Sequence, residues 1–301
     1  MIKKSIAVMG SQLDLGAVRK GVDMGPLAIR HAGLISKIRD IGYAVKDYGD
    51  VIPCVAESEG NPRLRYEKEI NDANEKLYRK VLSAHQKGAL PIILGGDHSI
   101  AAGSISATAE HCGKIGVLWI DAHGDFNDEQ ITPTGNIHGM PLSAVCGCGP
   151  DSLVRFTEAR VDPHHTAIIG ARDLDPLETK KLKSKGVSVF SISDVHNFGI
   201  RKIMEEAVSI VSDGTEGVHL SFDMDALDPE NAPGVGTPVL NGLTNREGFV
   251  ICEVLSDMGR LLAMDLVETN PLLDRRNATG ILAAELILTA IGKTDYQLFG
   301  I

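Results

Sequence analysis

Short apolar runs alternate with longer amphipathic segments along most of this chain, which limits it to α/β architectures. The strand-like runs fall at 5–9, 43–51, 90–94, 115–120, 166–169, 187–190, 218–223 and 261–267. Helical periodicity occupies 26–41, 67–86, 99–112, 139–145, 176–185, 200–212, 246–258 and 278–291. Pro26 stands in the first turn of its helix and Gly42 follows the end, while Lys87-Gly88 closes helix 67–86. Residues 53–63, with Gly60-Asn61-Pro62, read as a loop. Eight strands joined mostly through helices predict a three-layer α/β/α fold with a mainly parallel sheet. An α/β barrel shares the alternation; an open sheet is preferred because the candidate ligands come from only a few strands. No repeat, low-complexity tract or linker interrupts residues 1–301, so one domain is expected.

Three of the runs end in residues that carry chemistry. Asp121-Ala122-His123-Gly124-Asp125 follows 115–120, Asp223-Met224-Asp225 follows 218–222, and Gly95-Gly96-Asp97-His98 follows 90–94. If strand geometry continues through each motif, side chains two apart share a face. Like charges on one face repel unless a cation lies between them. His98, Asp121, His123, Asp125, Asp223 and Asp225 are therefore candidate metal ligands at one edge of the sheet. Six ligands exceed the four of a closed single-ion site and fit two ions that share bridging carboxylates.

The 301 residues are 43% hydrophobic, enough for a substantial core, and the net charge of −10 argues against nucleic acid or an anionic membrane as the main partner. Met1-Ile2-Lys3-Lys4 leads directly into the first strand without a signal core, and no apolar run is long enough to span a bilayer. The five cysteines are scattered and odd in number, so a reduced, cytoplasmic chain is expected. Cys146-Gly147-Cys148 lacks a second pair and reads as ordinary thiols; His164-His165, after Pro163, reads as solvated loop.

Gly95-Gly96-Asp97-His98-Ser99, Asp121-Ala122-His123-Gly124-Asp125, Gly135-Asn136-Ile137-His138-Gly139 and Ser221-Phe222-Asp223-Met224-Asp225-Ala226-Leu227-Asp228-Pro229 together resemble the ureohydrolase family, and within it the bacterial arginases. Gly236-Thr237-Pro238 and Val267-Glu268-Thr269-Asn270-Pro271 extend the resemblance over essentially the whole chain. It implies an eight-stranded parallel sheet and two manganese ions per chain, with cobalt or nickel left open by the ligand chemistry. One ion would be held by His98, Asp121, Asp125 and Asp223, the other by His123, Asp121, Asp223 and Asp225. It also implies a homo-oligomer, a trimer or hexamer, acting on L-arginine as a small-molecule substrate. There are departures: Thr134 replaces a usual Ser, Asn241 and Asn245 replace Gly and Tyr, and Thr269 replaces Val.

The reaction implied is attack of a metal-bridging hydroxide on the guanidinium carbon, giving L-ornithine and urea. Metal binding can bring water's pKa from about 15.7 toward about 7, which supplies hydroxide at neutral pH. Four ligand aspartates balance two divalent ions, the hydroxide leaves one negative charge, and a guanidinium neutralises it. Glu268 would pair with the guanidinium, Asp125 would accept the hydroxide proton, and His138 would relay protons or protonate the leaving amine. Asn127, Thr134 and Asn136 offer donors for an α-carboxylate; Asp175 and Glu178 offer acceptors for an α-ammonium; Thr237 would help hold the guanidinium. Asp175-Pro176 also reads simply as a helix N-terminus. The alternatives are an agmatinase or guanidinobutyrase with another tail pocket, a single-ion zinc deacetylase, and a non-catalytic metal-binding module. The second His/Asp set argues against the deacetylase, and Glu268 with His138 against the module.

Overall fold

In the computed structural model, which describes residues 5–293, all the expected runs become strands of one sheet. They are β1 (Ile6–Ser11), β2 (Val45–Val51), β5 (Leu90–Leu94), β6 (Gly116–Ile120), β7 (Thr166–Ala171), β8 (Ser188–Ser191), β9 (Val218–Asp223) and β10 (Leu261–Val267). The short strands β3 (Gly60–Asn61) and β4 (Leu64–Arg65) pair antiparallel, so the expected loop 53–63 contributes half of a small hairpin. The eight-stranded sheet has the order β2-β1-β5-β10-β9-β6-β7-β8, and every pairing in it is parallel. β2 and β8 are free edges, so the sheet is open and not a barrel. Residues 1–4, including part of the N-terminal segment read above, and 294–301 lie outside the described residues.

Period-2 alternation sorts the strand side chains between two cores. Ile6 and Val8 of β1 pack on one face with Ile29, Ile203, Ile251 and Leu286 of the helices there. Ala7 and Met9 pack on the other with Leu77, Ile105 and Leu182. Both faces of the inner strands are buried, which is why those strands read as unbroken apolar runs, whereas the edge strand β2 is mixed in sequence and largely exposed. The expected helix 26–41 is two helices, Gly25–His31 and Leu34–Asp40, because Gly33 between them adopts φ 86°. Thr244 caps the helix Asn245–Met258: its Oγ1 accepts from Glu247 N (3.3 Å) and Glu247 Oε2 accepts from Thr244 N (2.7 Å).

β5, β10, β9 and β6 are neighbours in that order, so the ends of exactly those strands that carry Asp, His and Glu adjoin along one edge. The chain beyond β5 passes close under residues 13–16. Asp97 N donates to Leu13 O (2.7 Å), and a Cβ on Gly96 would lie 1.8 Å from that same oxygen. Gly96→Ala must therefore displace backbone, and the expected destabilisation is about 1–3 kcal/mol. Urea unfolding of the two proteins measures it; an unchanged midpoint would show that the close approach is dispensable.

Candidate metal centre

Strand geometry stops at Ile120, and a left-handed turn at Asp125 (φ 47°) brings its carboxylate back beside Asp121. Continued strand alternation is therefore not what gathers this motif. Likewise Met224–Ala226 leave β9 as a 3-10 turn, capped by Asp223 Oδ1 accepting from Asp225 N at 2.7 Å. Glu268, the first residue after β10, is also left-handed (φ 62°). Non-glycine residues hold such conformations at a cost of about 1–3 kcal/mol, and they concentrate at functional sites.

All six candidate ligands converge. His98 Nδ1 lies 3.1 Å from Asp121 Oδ2, 3.2 Å from Asp125 Oδ2 and 3.1 Å from Asp223 Oδ2. His123 Nδ1 lies 3.3 Å from Asp121 Oδ1 and 3.1 Å from Asp225 Oδ2. Two compact groups result, His98/Asp121/Asp125 and Asp121/His123/Asp225, each with ligand atoms within 4.8 Å of one another and with Asp121 common to both. The four aspartates are almost completely buried. Burial and the Asp121 carboxylate push Asp125 up to about 6, and burial with Asp225 and Asp121 raises Asp223 well above the carboxylate range. Burial also disfavours the charge of Asp121, but hydrogen bonds from His123 and His98 outweigh it and hold its carboxyl far below the usual range. The imidazoles respond in the opposite sense. Burial opposes their protonation, and the surrounding carboxylates overcome it and raise both. A proton on each ring supplies positive charge that a divalent ion supplies better, so these residues fit two ions.

Other groups around the centre are less evident from sequence. Trp119 stacks on His98, with ring centroids 3.9 Å apart and planes 6° apart, and its Nε1 donates to Asp121 Oδ2 (2.8 Å). Ser221 Oγ lies 2.9 Å from His98 Nε2. Both stand two residues before an aspartate on their strands, a same-face signal that could have identified them. Arg172 spends its guanidinium on backbone carbonyls, donating to Asp225 O (2.7 Å), Val239 O (2.8 Å) and Ala226 O (3.1 Å). Cys146 is buried and Cys148 half-buried; they stay free thiols away from the centre.

Glu268 lies beneath the centre and is fully buried. Its Oε1 accepts from His98 N (3.0 Å) and faces His138 Nδ1 at 3.4 Å; its Oε2 has no hydrogen-bond partner. Burial disfavours the His138 charge, but the Glu268 carboxylate lifts the imidazole to about 9.

A cleft of about 280 Å³ opens over these groups and brings the remaining predicted residues together: Asn127, Thr134, Asn136, Asp175, Glu178 and Thr237 all line it. Several arrive already engaged. Thr237 Oγ1 donates to Asp225 Oδ2 (2.8 Å), which leaves lone pairs for a substrate N–H. Thr134 Oγ1 accepts from Asn136 N (3.1 Å) and keeps its own proton to donate. Asn127 Nδ2 donates to Asp175 Oδ2 (3.0 Å), so one of its amide protons is spent. Asp175 is indeed the N-cap of the helix Pro176–Lys185. Glu178 accepts from Phe126 N (2.8 Å) and Asp175 N (3.2 Å), so its first task is to fix the loop; burial pushes it up to about 7. Thr132, not anticipated, organises the same loop through Oγ1, which accepts from Gly135 N (3.0 Å) and Thr134 N (3.3 Å).

The arginase family model matches residues 4–292. The chain belongs to the arginase family. The arginase of Bacillus caldovelox is 42% identical over 96% of this chain and 99% of its own, and that of Bacillus subtilis is 44% identical over 96% and 98%. The crystal structure of the Bacillus caldovelox enzyme superposes with a TM-score of 0.95, covering 97% of this chain and 99% of that one. The arginase of Entamoeba histolytica in complex with L-ornithine superposes with a TM-score of 0.90 at 28% identity, covering 97% and 100%. The three-layer arginase-like fold with a mainly parallel sheet expected from the sequence is thereby established, and the sheet is parallel throughout.

The His138–Glu268 pair predicts a pH signature in the metal-free protein. The folded imidazole titrates at about 9, above the unfolded value near 6.5. Its contribution to stability is therefore complete below about pH 6.5 and disappears as pH rises through about 9. The difference in urea midpoint between the unmodified protein and His138→Asn should be widest at pH 6 and close above pH 9. A difference independent of pH would remove the ion pair.

Proposed function

We propose that this chain hydrolyses L-arginine to L-ornithine and urea, using His98, Asp121, His123, Asp125, Asp223 and Asp225 to hold two divalent ions, manganese by preference. The observation that carries the reading is Glu268 Oε2, a buried carboxylate oxygen with no donor, beside two compact His/Asp groups. A guanidinium offers the paired N–H donors and the positive charge that this oxygen lacks. The similarity to arginases across nearly the whole of both chains supports the same substrate.

Two ions bound there supply electrostatic activation of water at neutral pH. The protein residues do the rest. Glu268 Oε2 and the Thr237 lone pairs are the acceptors that orient the guanidinium. Asp125, whose carboxylate faces His98 Nδ1 at 3.2 Å, accepts the proton released when water oxygen bonds to the guanidinium carbon. Cleavage of the bond to the side-chain nitrogen of arginine then requires a proton on that nitrogen. Asp125 delivers it, which frees a neutral amine, and His138, which lines the mouth of the cleft, returns to that amine the other proton water gave up, so that ornithine leaves as its ammonium. Thr134 and Asn136 donate to the substrate carboxylate, while Asp175 and Glu178 face the ammonium, directly or through water.

The chain is read as one domain over 1–301, assembling as a homo-oligomer, a trimer or hexamer, in the cytoplasm. Among the described residues no helix is long and apolar enough to cross a membrane.

Arginine and agmatine differ at the α-carboxylate. Agmatine would forgo the charge-assisted hydrogen bonds that exposed Thr134 and half-buried Asn136 offer a carboxylate, so arginine should be preferred by at least ~10²-fold in kcat/KM. Thr134→Val with Asn136→Ala should narrow that ratio, chiefly by impairing arginine. Steady-state kinetics on both substrates decides the matter; a preference for agmatine or guanidinobutyrate would overturn the assignment.

A further inference from the structure

Behind the metal centre, on the face of the sheet that packs against the helix Ala101–Cys112, lies a carboxylate that the chemistry above does not use. Asp265 is in the middle of β10 and is fully buried, as are Ser221, His219 and Ser104 around it. β10 is flanked by β5 and β9, and Asp265 is paired in register with Ser221. Ser104 Oγ donates to Asp265 Oδ2 (2.7 Å), and His219 Nε2 lies 3.0 Å from the same oxygen. Ser221 Oγ approaches it at 3.5 Å. Burying a carboxylate in the centre of a sheet is unfavourable against an apolar residue of the same size, so its place there calls for a reason.

Proton directions supply one. His98 Nδ1 faces three carboxylate oxygens and must present a lone pair when an ion lies among them. The ring proton then belongs on Nε2, where the partner is Ser221 Oγ at 2.9 Å. Ser221 must accept that proton with a lone pair, and its own hydroxyl proton needs an acceptor on the far side. Asp265 Oδ2 is the acceptor there. We propose that Asp265 is a positioning residue for the metal centre: anchored by Ser104, it orients the Ser221 hydroxyl so that His98 keeps its proton on Nε2 and its Nδ1 lone pair toward the ion. The inference rests on the reading of His98 as a metal ligand.

The test is manganese affinity of the purified full chain, measured by competition with a chelating dye, in a double-mutant cycle. Asp265→Asn should weaken one of the two bound ions by about 10- to 100-fold, the usual effect of removing a group that orients a ligand, and leave the other unchanged. Ser221→Ala should weaken the same ion. In the Ser221→Ala background, Asp265→Asn should add no further loss, because the path from Asp265 to His98 is already cut. A packing role predicts instead a lower melting temperature in both backgrounds with manganese affinity unchanged, and that result, or additive losses, overturns the proposal. If Asp265→Asn does not fold, Ser104→Ala removes the 2.7 Å donor. It should cost about three- to tenfold in affinity with Ser221 present and nothing with Ser221→Ala; equal effects in the two backgrounds overturn the proposal. An unmodified protein that binds fewer than two manganese ions would refute the reading of the centre itself, and this inference with it.

Discussion

Four carboxylates buried at one edge of a parallel sheet repel one another, and the architecture around them exists to hold them there until cations arrive. Asp121, Asp125, Asp223 and Asp225 crowd around two imidazoles, and burial together with mutual repulsion raises Asp125 and Asp223. Such an arrangement is stable only where backbone and neighbouring side chains leave the carboxylates no means of moving apart. That constraint explains the strained residues. Asp125 and Glu268 both take left-handed backbone at the strand ends, where a relaxed loop would carry them away from the cluster.

The restraint comes from three directions. The sheet order places β5, β10, β9 and β6 side by side, so residues far apart in sequence adjoin without long loops. Arg172 ties the end of β7 to the turn after Asp225 and to Val239, which fixes the approach of Thr237. Asp97 receives Gly16 N at 2.7 Å, and Gly16 O in turn accepts from His138 N at 3.3 Å. The loop carrying His138 is thus fastened to the same strand end that carries His98. Backbone hydrogen bonds to these buried groups stiffen the frame in which charge-assisted contacts are strongest.

Much of this arrangement is legible in the amino-acid sequence itself. Apolar runs located the inner strands of the main sheet because a strand covered on both faces has no alternation to hide it, while the edge strand β2 is legible only as a mixed segment. Motifs at the run ends located the side chains that converge because polar residues directly after a buried strand have few other places to go. What could not be read was the path between them. Spacing of two residues suggested a continued strand through Asp121, His123 and Asp125, whereas the convergence depends on a turn whose dihedral angle is set by tertiary contacts such as Glu178 accepting from Phe126 N. The split at Gly33 and the loop-building role of Thr132 are likewise decided by packing partners distant in sequence. Trp119 and Ser221 resemble ordinary core residues of a buried strand by composition, and only their spacing two residues before an aspartate marks them as partners of the centre.

The number of divalent ions bound per chain is the quantity on which the reading of this centre stands most directly. Elemental analysis of the purified, active protein, followed by stepwise addition of manganese to the chelated form while urea release from arginine is recorded, measures it. Two ions per chain are predicted, with full activity reached only as the second is taken up. A fully active protein holding one tightly bound ion would contradict it.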